Sequence, residues 1–66
     1  MIEIGEVYQS KEAPNRRAII ERLVWYGPIL SIYYRVPLDN EGHESCSLDE
    51  TLFLHRYYII KGVRTL

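Results

Sequence analysis

The stretch ILSIYYRV, residues 29–36, is the clearest structural signal in this chain of 66 residues. Its apolar residues recur at every second position, as Leu30, Ile32, Tyr34 and Val36. Because successive side chains of a β-strand point to opposite faces, this spacing places all of them on one side of an extended segment. The β-branched and aromatic residues of the stretch also favour a strand. We therefore predict a β-strand over 29–36 and a mainly β fold.

The preceding stretch NRRAIIERLVWYGP, residues 15–28, permits two interpretations. As a strand with a β-bulge near Arg22, it places four residues on one face, namely Ala18, Ile20, Val24 and Tyr26. As a helix, it is capped by Asn15 and ended by Gly27 and Pro28. The apolar stripe of that helix would be Ile19, Ile20, Leu23 and Val24. The run LVWY has high β-propensity and favours the strand, and the alternative is an α+β fold with a helix over about 15–27.

Turn signals on either side of these segments indicate further strands. DNEG, residues 39–42, combines Asp, Asn and Gly, which favour turns. HESCSL, residues 43–48, would then return as the second strand of a hairpin. EVYQS, residues 6–10, alternates in the same way and is predicted to be the first strand of the sheet.

The last part of the chain has the spacing of a helix start. Ser47 and Glu50 match the Ser-x-x-Glu pattern of a capping box in front of TLFLH. We predict a short helical turn over about 48–55. Its core-facing residues would be Leu48, Leu52 and Phe53. A closing strand YYIIKG follows, with Ile59 or Ile60 in the core.

The order of these segments resembles small SH3-like β-barrel proteins, including short uncharacterised bacterial and prophage-encoded families. The features that carry the resemblance are Gly5, Val7 and Tyr8 at the first strand and Leu48, Phe53, Leu54 and Tyr57 at the last turn and strand. The SKEAPN connection and the doubling of Tyr57 by Tyr58 depart from the family pattern. The resemblance implies a five-stranded barrel with one short helical turn before the last strand. It implies no particular activity, because SH3-like barrels serve many functions.

Length and composition agree with one small globular unit. A chain of 66 residues predicts a single domain over 1–66, and 47% hydrophobic with 26% charged residues is typical of folded proteins. The lone Cys46 cannot form an intramolecular disulfide, which favours a reducing cytoplasm. No signal peptide and no membrane association are expected, because no long apolar segment is present.

Residues that could carry chemistry are few. His43, Cys46 and His55 could supply three zinc ligands, but a structural zinc site needs four. The acidic neighbours of Cys46 would raise its pKa, which disfavours a nucleophilic thiolate. We expect His55 and Arg56 at the surface. No metal, no cofactor and no enzymatic activity are predicted.

The aromatic residues and arginines are the best candidates for binding. In the adjacent aromatic pairs at 25/26, 33/34 and 57/58, one ring should point inward and the other outward. The candidate binding residues are Arg16, Arg17, Arg22, Trp25, Tyr33, Arg35 and Tyr58.

Three interpretations of this candidate set stay open. Trp, Tyr and Arg are enriched at protein-interaction hot spots. The same residues could stack bases and neutralise the phosphates of a nucleic acid, although residues 37–50 carry five acidic residues and no Lys or Arg to oppose it. Outward tyrosines could also cover a thin barrel. We expect a small adaptor or regulator that binds a protein partner as a monomer or weak homodimer, with nucleic-acid binding as the alternative.

Overall fold

The structure, a computed structural model, describes residues 1–65. Its elements in chain order are β1 (Glu6–Ser10), β2 (Arg17–Tyr26), β3 (Ile29–Pro37), β4 (His43–Asp49), α1 (Glu50–Arg56) and β5 (Tyr57–Arg64). The five strands form one antiparallel sheet in the order β4-β3-β2-β1-β5, so β4 and β5 are its edges and the sheet is not closed. The mainly β prediction is confirmed. No helix among residues 1–65 is long and apolar enough to cross a membrane.

The helix predicted as an alternative over 15–27 is wrong, because this segment is β2. It pairs with a neighbour on each side, and Ile19 lies opposite both Val7 of β1 and Arg35 of β3. β3 pairs along most of β2 and β1 pairs with residues 17–19, and the β-branched and aromatic residues of β2 fit the pleated surface. Tertiary pairing therefore decides between two patterns that the sequence permits.

A bulge in β2 changes which of its residues face the core. The register with β3 shifts between Ile20 and Arg22, so Glu21 is the extra residue. Before the bulge, Ile20 is buried opposite Tyr34, and after it Leu23 takes the core side opposite Ile32. The bulge was predicted, but its effect on the faces was not. Val24 and Tyr26 lie on the opposite face from Ala18 and Ile20, which corrects the predicted alternation.

The core lies on the face of the sheet that α1 covers. Its buried members are Ile2, Tyr8, Ala18, Ile20, Leu30, Ile32, Tyr34, Val36, Phe53 and Tyr57. The alternation predicted for β3 is confirmed, because every second residue of this strand is buried. Phe53 of α1 is fully buried, and its ring centroid lies 4.8 to 5.1 Å from those of Tyr8, Tyr34 and Tyr57. This aromatic cluster joins the helix to three strands.

The helical turn has a different cap and a narrower buried face than predicted. Asp49 is the N-cap, with its carboxylate accepting a hydrogen bond of 2.9 Å from the backbone N–H of Leu52, whereas Ser47 lies within β4. In a helix of seven residues, Phe53 is the buried residue, and Leu52 and Leu54 are exposed. The closing strand contributes Tyr57 to the core instead of Ile59 or Ile60.

We expect Asp49→Ala to lower the free energy of unfolding by about 1 kcal/mol, because it removes the acceptor for an N–H of the first helical turn. The measurement is urea unfolding followed by far-ultraviolet circular dichroism. Ser47→Ala is the matched control, since Ser47 is exposed and makes no cap, and its effect should stay below about 0.5 kcal/mol. Equal losses in both variants would contradict this assignment of the cap.

Candidate functional site

The face of the sheet opposite the core, termed the outer face, carries aligned rows of side chains across β2, β3 and β4. Cross-strand partners share a face, so the register places Arg22, Tyr33 and Ser47 in one row. The next row contains Val24, Ser31 and Asp49. The last row, next to the Gly27-Pro28 turn, contains Tyr26 and Ile29. The β-bulge creates this arrangement, because it turns Arg22 and Tyr26 to the outer face.

Arg22, Tyr26 and Tyr33 interact directly on the outer face. The guanidinium carbon of Arg22 lies 4.4 Å from the ring centroid of Tyr33, a cation–π contact. The Tyr26 and Tyr33 hydroxyl oxygens are 2.9 Å apart. This hydrogen bond, aided by the charge of Arg22, lowers the pKa of the Tyr33 phenol. The same bond raises the pKa of Tyr26, which fits Tyr26 as the donor. The two rings and the guanidinium therefore hold one another in place.

The end of the β2–β3 hairpin exposes three large apolar side chains. Trp25, Tyr26 and Ile29 are 59%, 58% and 56% exposed. Trp25 lies opposite Leu30 on the core side, but Leu30 is buried and Trp25 is exposed. The helix α1 packs mainly against β3, β4 and β5. Trp25 and Tyr26 therefore point to opposite sides of the sheet, as expected, but the inward-pointing Trp25 is not buried. We term the set Arg22, Trp25, Tyr26, Ile29 and Tyr33 the hairpin-tip surface.

The same expectation is confirmed for the other aromatic pairs. Tyr34 is buried and Tyr33 lies on the outer face, and Tyr57 is buried while Tyr58 is 52% exposed. Tyr58 lies opposite Gln9 of β1, which also pairs with Arg17. The ten residues from Arg17 to Tyr26 extend up to about 30 Å along β2. Tyr58 and Arg17 are therefore at the other end of the outer face from the hairpin tip.

The predicted binding residues thus separate into groups. The hairpin-tip surface contains three of them, Arg22, Trp25 and Tyr33. Arg35 lies on the outer face in a salt bridge of 3.0 Å with Glu21, and the Arg17 side chain donates to the Gln9 side chain at 3.3 Å. Sequence reasoning missed Tyr26, since its orientation depends on the bulge, and missed Ile29, whose position next to the turn was the available signal.

Arg16 lies on the core side and links the two edges of the sheet. Its Nε donates to the hydroxyl of Tyr57 in β5 at 3.0 Å, and its Nη2 donates to Glu44 of β4 at 2.8 Å. The bond from Arg16, with a further one from Cys46, lowers the pKa of Glu44. Burial, with the neighbouring Glu44 carboxylate, raises the pKa of the Cys46 thiol, which stays protonated at neutral pH. The contacts of Arg16 are those of a structural bridge.

The Arg16–Glu44 pair should make stability pH-dependent. Because the folded-state pKa of Glu44 lies below its ordinary value of 4.5, the pair stabilises the fold above that pH. The contribution is lost as the pH falls through the folded-state pKa. We expect Glu44→Gln to unfold more easily than the original protein at pH 7, and the two proteins to converge as the pH falls through the lowered pKa of Glu44.

Urea unfolding at pH 7, 5 and 3 measures this convergence. Glu41→Gln is the matched control, because Glu41 forms no ion pair within residues 1–65. A difference between Glu44→Gln and the original protein that stays constant from pH 7 to pH 3 would contradict the proposed linkage.

The histidines and the cysteine do not come together. His43 and Cys46 are three residues apart in β4, so they point to opposite faces, and His55 lies in α1. Within residues 1–65, no three His, Cys, Asp or Glu side chains lie close enough to share a metal ion.

Comparisons with protein-family models, with curated proteins and with solved structures give no significant match to this chain. The relationship to bacterial and prophage-encoded SH3-like families therefore stays a prediction.

Proposed function

We propose that this protein is a non-enzymatic interaction module that binds a protein partner through the hairpin-tip surface. The observation that carries the proposal is the exposure of Trp25, Tyr26 and Ile29 on one hairpin beside the Arg22–Tyr33 contact. Tryptophan, tyrosine and arginine are the residues most enriched among side chains that dominate the energy of protein interfaces. Trp25 lies on the core side of the sheet and Tyr26 and Ile29 lie on the outer face, so a partner would contact both sides of the hairpin tip. Large exposed apolar side chains grouped in this way are typical of docking sites.

The geometry also favours binding by lowering its entropic cost. The rings belong to a regular hairpin within the sheet, and Tyr33 is held by contacts with Tyr26 and Arg22. Side chains that are already ordered lose little freedom when a partner binds. The guanidinium of Arg22 has five N–H donors, more than its contact with Tyr33 can use, so it can also bind an acceptor on the partner. The complementary partner surface would be apolar, with a carboxylate or carbonyl group facing Arg22.

The finer fold assignment is a separate proposal and implies no particular role. The strand order β4-β3-β2-β1-β5, a short helix between β4 and β5, and a bulged β2 are consistent with an SH3-like barrel. We propose this assignment, together with a cytoplasmic, prophage-related adaptor or regulator. The free thiol of Cys46 is consistent with the reducing compartment.

Nucleic-acid binding is the second proposal. Exposed rings beside Arg17 and Arg22, which form no ion pair within residues 1–65, favour it. Two other arginines, Arg16 and Arg35, are already neutralised by glutamates, which leaves fewer cations for phosphates. The proposal of a protein partner therefore comes first.

The two proposals predict different results in an NMR titration of the labelled protein with single- and double-stranded oligonucleotides at two salt concentrations. A nucleic-acid ligand should shift amides near Arg17 and Arg22, and binding should weaken at the higher salt concentration. We expect no shifts at large oligonucleotide excess. Salt-dependent shifts at the hairpin tip would place nucleic acid ahead of protein.

Removing one ring should weaken partner binding strongly. We expect Trp25→Ala or Tyr26→Ala to weaken binding about 30-fold, corresponding to about 2 kcal/mol for a hot-spot residue. The measurement is quantitative affinity capture from an extract of cells that carry the gene, followed by titration of the purified partner. Tyr58→Ala is the matched control, because Tyr58 is a similarly exposed tyrosine away from the hairpin tip. Equal losses for Tyr26→Ala and Tyr58→Ala would contradict the assigned surface.

A further inference from the structure

The strand β4 presents an open edge. All seven of its residues pair with β3, from His43 opposite Pro37 to Asp49 opposite Ser31, without a register shift. Within residues 1–65, its other edge has no strand partner. An edge strand with free N–H and C=O groups is a template for pairing with another strand.

The opposite edge of the sheet is protected. Tyr8 of β1 lies opposite Ile59 of β5, and Glu6 of β1 lies opposite Arg64 of β5. Between these two pairs, β5 has four residues, 60–63, where β1 has only Val7. This bulge carries Lys61, and bulges and lysines are devices that prevent edge pairing. β4 contains no bulge, lysine or proline. Of the two edges, β4 is the one open to strand addition.

The sequence of β4 is complementary to itself in the antiparallel direction. If two copies pair around a two-fold axis at Cys46, the two Cys46 residues lie opposite each other. Three further kinds of opposite pairs form, namely His43 with Asp49, Glu44 with Leu48, and Ser45 with Ser47. The first pair is a histidine facing a carboxylate, and the third joins two hydroxyl groups. No like charges are directly opposed. Moving the axis by one residue to Ser45 or Ser47 removes both His43–Asp49 pairs.

The charge on Glu44 does not prevent this pairing. Its carboxylate is bound by Arg16 of the same chain at 2.8 Å, so it is already neutralised when the edge meets a second copy. Glu44, Cys46 and Leu48 share the core side of β4, because Cys46 pairs with Tyr34 and the residues alternate. A two-fold axis through the Cys46 pair keeps the cores of both copies on the same side of one continuous sheet.

We propose that the β4 edge binds the β4 edge of a second copy of this chain, antiparallel and centred on Cys46. The product is a weak symmetric dimer, because a seven-residue edge forms a smaller interface than stable dimers have. The hairpin-tip surface lies outside the dimer contact, so each copy keeps its own partner site. Dimerisation would present two such sites on one particle.

The test is sedimentation equilibrium from about 10 µM to 1 mM protein under reducing conditions. It compares the original protein with two variants that carry opposite charges at the exposed residue His43. His43→Asp places an aspartate opposite Asp49 of the second copy, and we expect dimer affinity to fall about tenfold. His43→Lys keeps the favourable pair, and its dimer affinity should equal or exceed that of the original protein. His55→Asp and His55→Lys apply the same charge changes on α1, and neither should affect dimerisation.

Amide hydrogen exchange at low and high protein concentration locates the contact. We expect concentration-dependent protection confined to residues 43–49. A protein that stays monomeric at 1 mM would overturn the proposal. A dimer whose affinity is unchanged by both His43 variants, and which shows no added exchange protection in β4, would also overturn the proposal. In that case Trp25→Ala tests whether the hairpin tip forms the dimer contact instead.

Discussion

Phe53→Ala should lower the free energy of unfolding more than any other single truncation discussed for this protein. Phe53 is fully buried, and its ring meets those of Tyr8, Tyr34 and Tyr57. Truncating a buried phenylalanine typically costs about 3 to 5 kcal/mol, through lost burial and the cavity that remains. A domain of this size has a total free energy of unfolding of roughly 3 to 10 kcal/mol, so the loss removes much or all of it.

Urea unfolding monitored by circular dichroism and tryptophan fluorescence measures the effect. Leu54→Ala is the matched control in the same helix, because Leu54 is 43% exposed and its loss should cost less than about 1 kcal/mol. Phe53→Leu should lie between the two. A variant Phe53→Ala that unfolds at nearly the same urea concentration as Leu54→Ala would show that the aromatic cluster is not the centre of the core.

Gly5→Ala should destabilise the fold by about 3 to 5 kcal/mol. The backbone of Gly5 has φ +90°, a conformation that costs other residues about 1 to 3 kcal/mol. An added Cβ would also overlap the backbone carbonyl oxygen of Thr65. Relieving that overlap moves Gly5 away from Ile20 and Thr65, to which its backbone forms hydrogen bonds of 2.8 Å worth about 1 kcal/mol each.

Gly27→Ala separates the two causes. Gly27 has φ +61°, yet an added Cβ would meet no atom within 4 Å, so this variant carries the conformational cost of about 1 kcal/mol without the overlap. Thermal unfolding of both variants measures the difference. Equal losses would show that backbone conformation alone explains the requirement for glycine at residue 5.

The sequence alone predicts an element correctly where its residue pattern is compatible with a single structure. In β3, apolar residues alternate without interruption, and the strand and its buried face follow from that alternation. β2 is harder, because Glu21 and Arg22 are both polar and either could be the bulged residue. The choice depends on pairing with β3, which local sequence does not contain. Ser47 and Asp49 both suit a helix cap, and Asp49 is the cap because the helix begins at the next residue, Glu50.

For the candidate site, the sequence indicates which types of residue carry binding but not how they are arranged. Composition indicates that exposed rings and arginines carry binding, and adjacent aromatic pairs correctly place Tyr33 and Tyr58 outside. Which arginines are free depends on contacts distant in sequence, such as Arg16 with Glu44 and Arg35 with Glu21. The grouping of Arg22, Tyr26 and Tyr33 depends on the bulge.

Site-specific photo-crosslinking tests the proposed surface most directly. A photoreactive phenylalanine derivative replaces Ile29 at the hairpin tip, or Tyr58 at the other end of the outer face, and the protein is irradiated in an extract of cells that carry its gene. The account predicts a discrete adduct from position 29 that protease removes and nuclease does not, and no such adduct from position 58. Nuclease-sensitive adducts, or the same adducts from both positions, would contradict it.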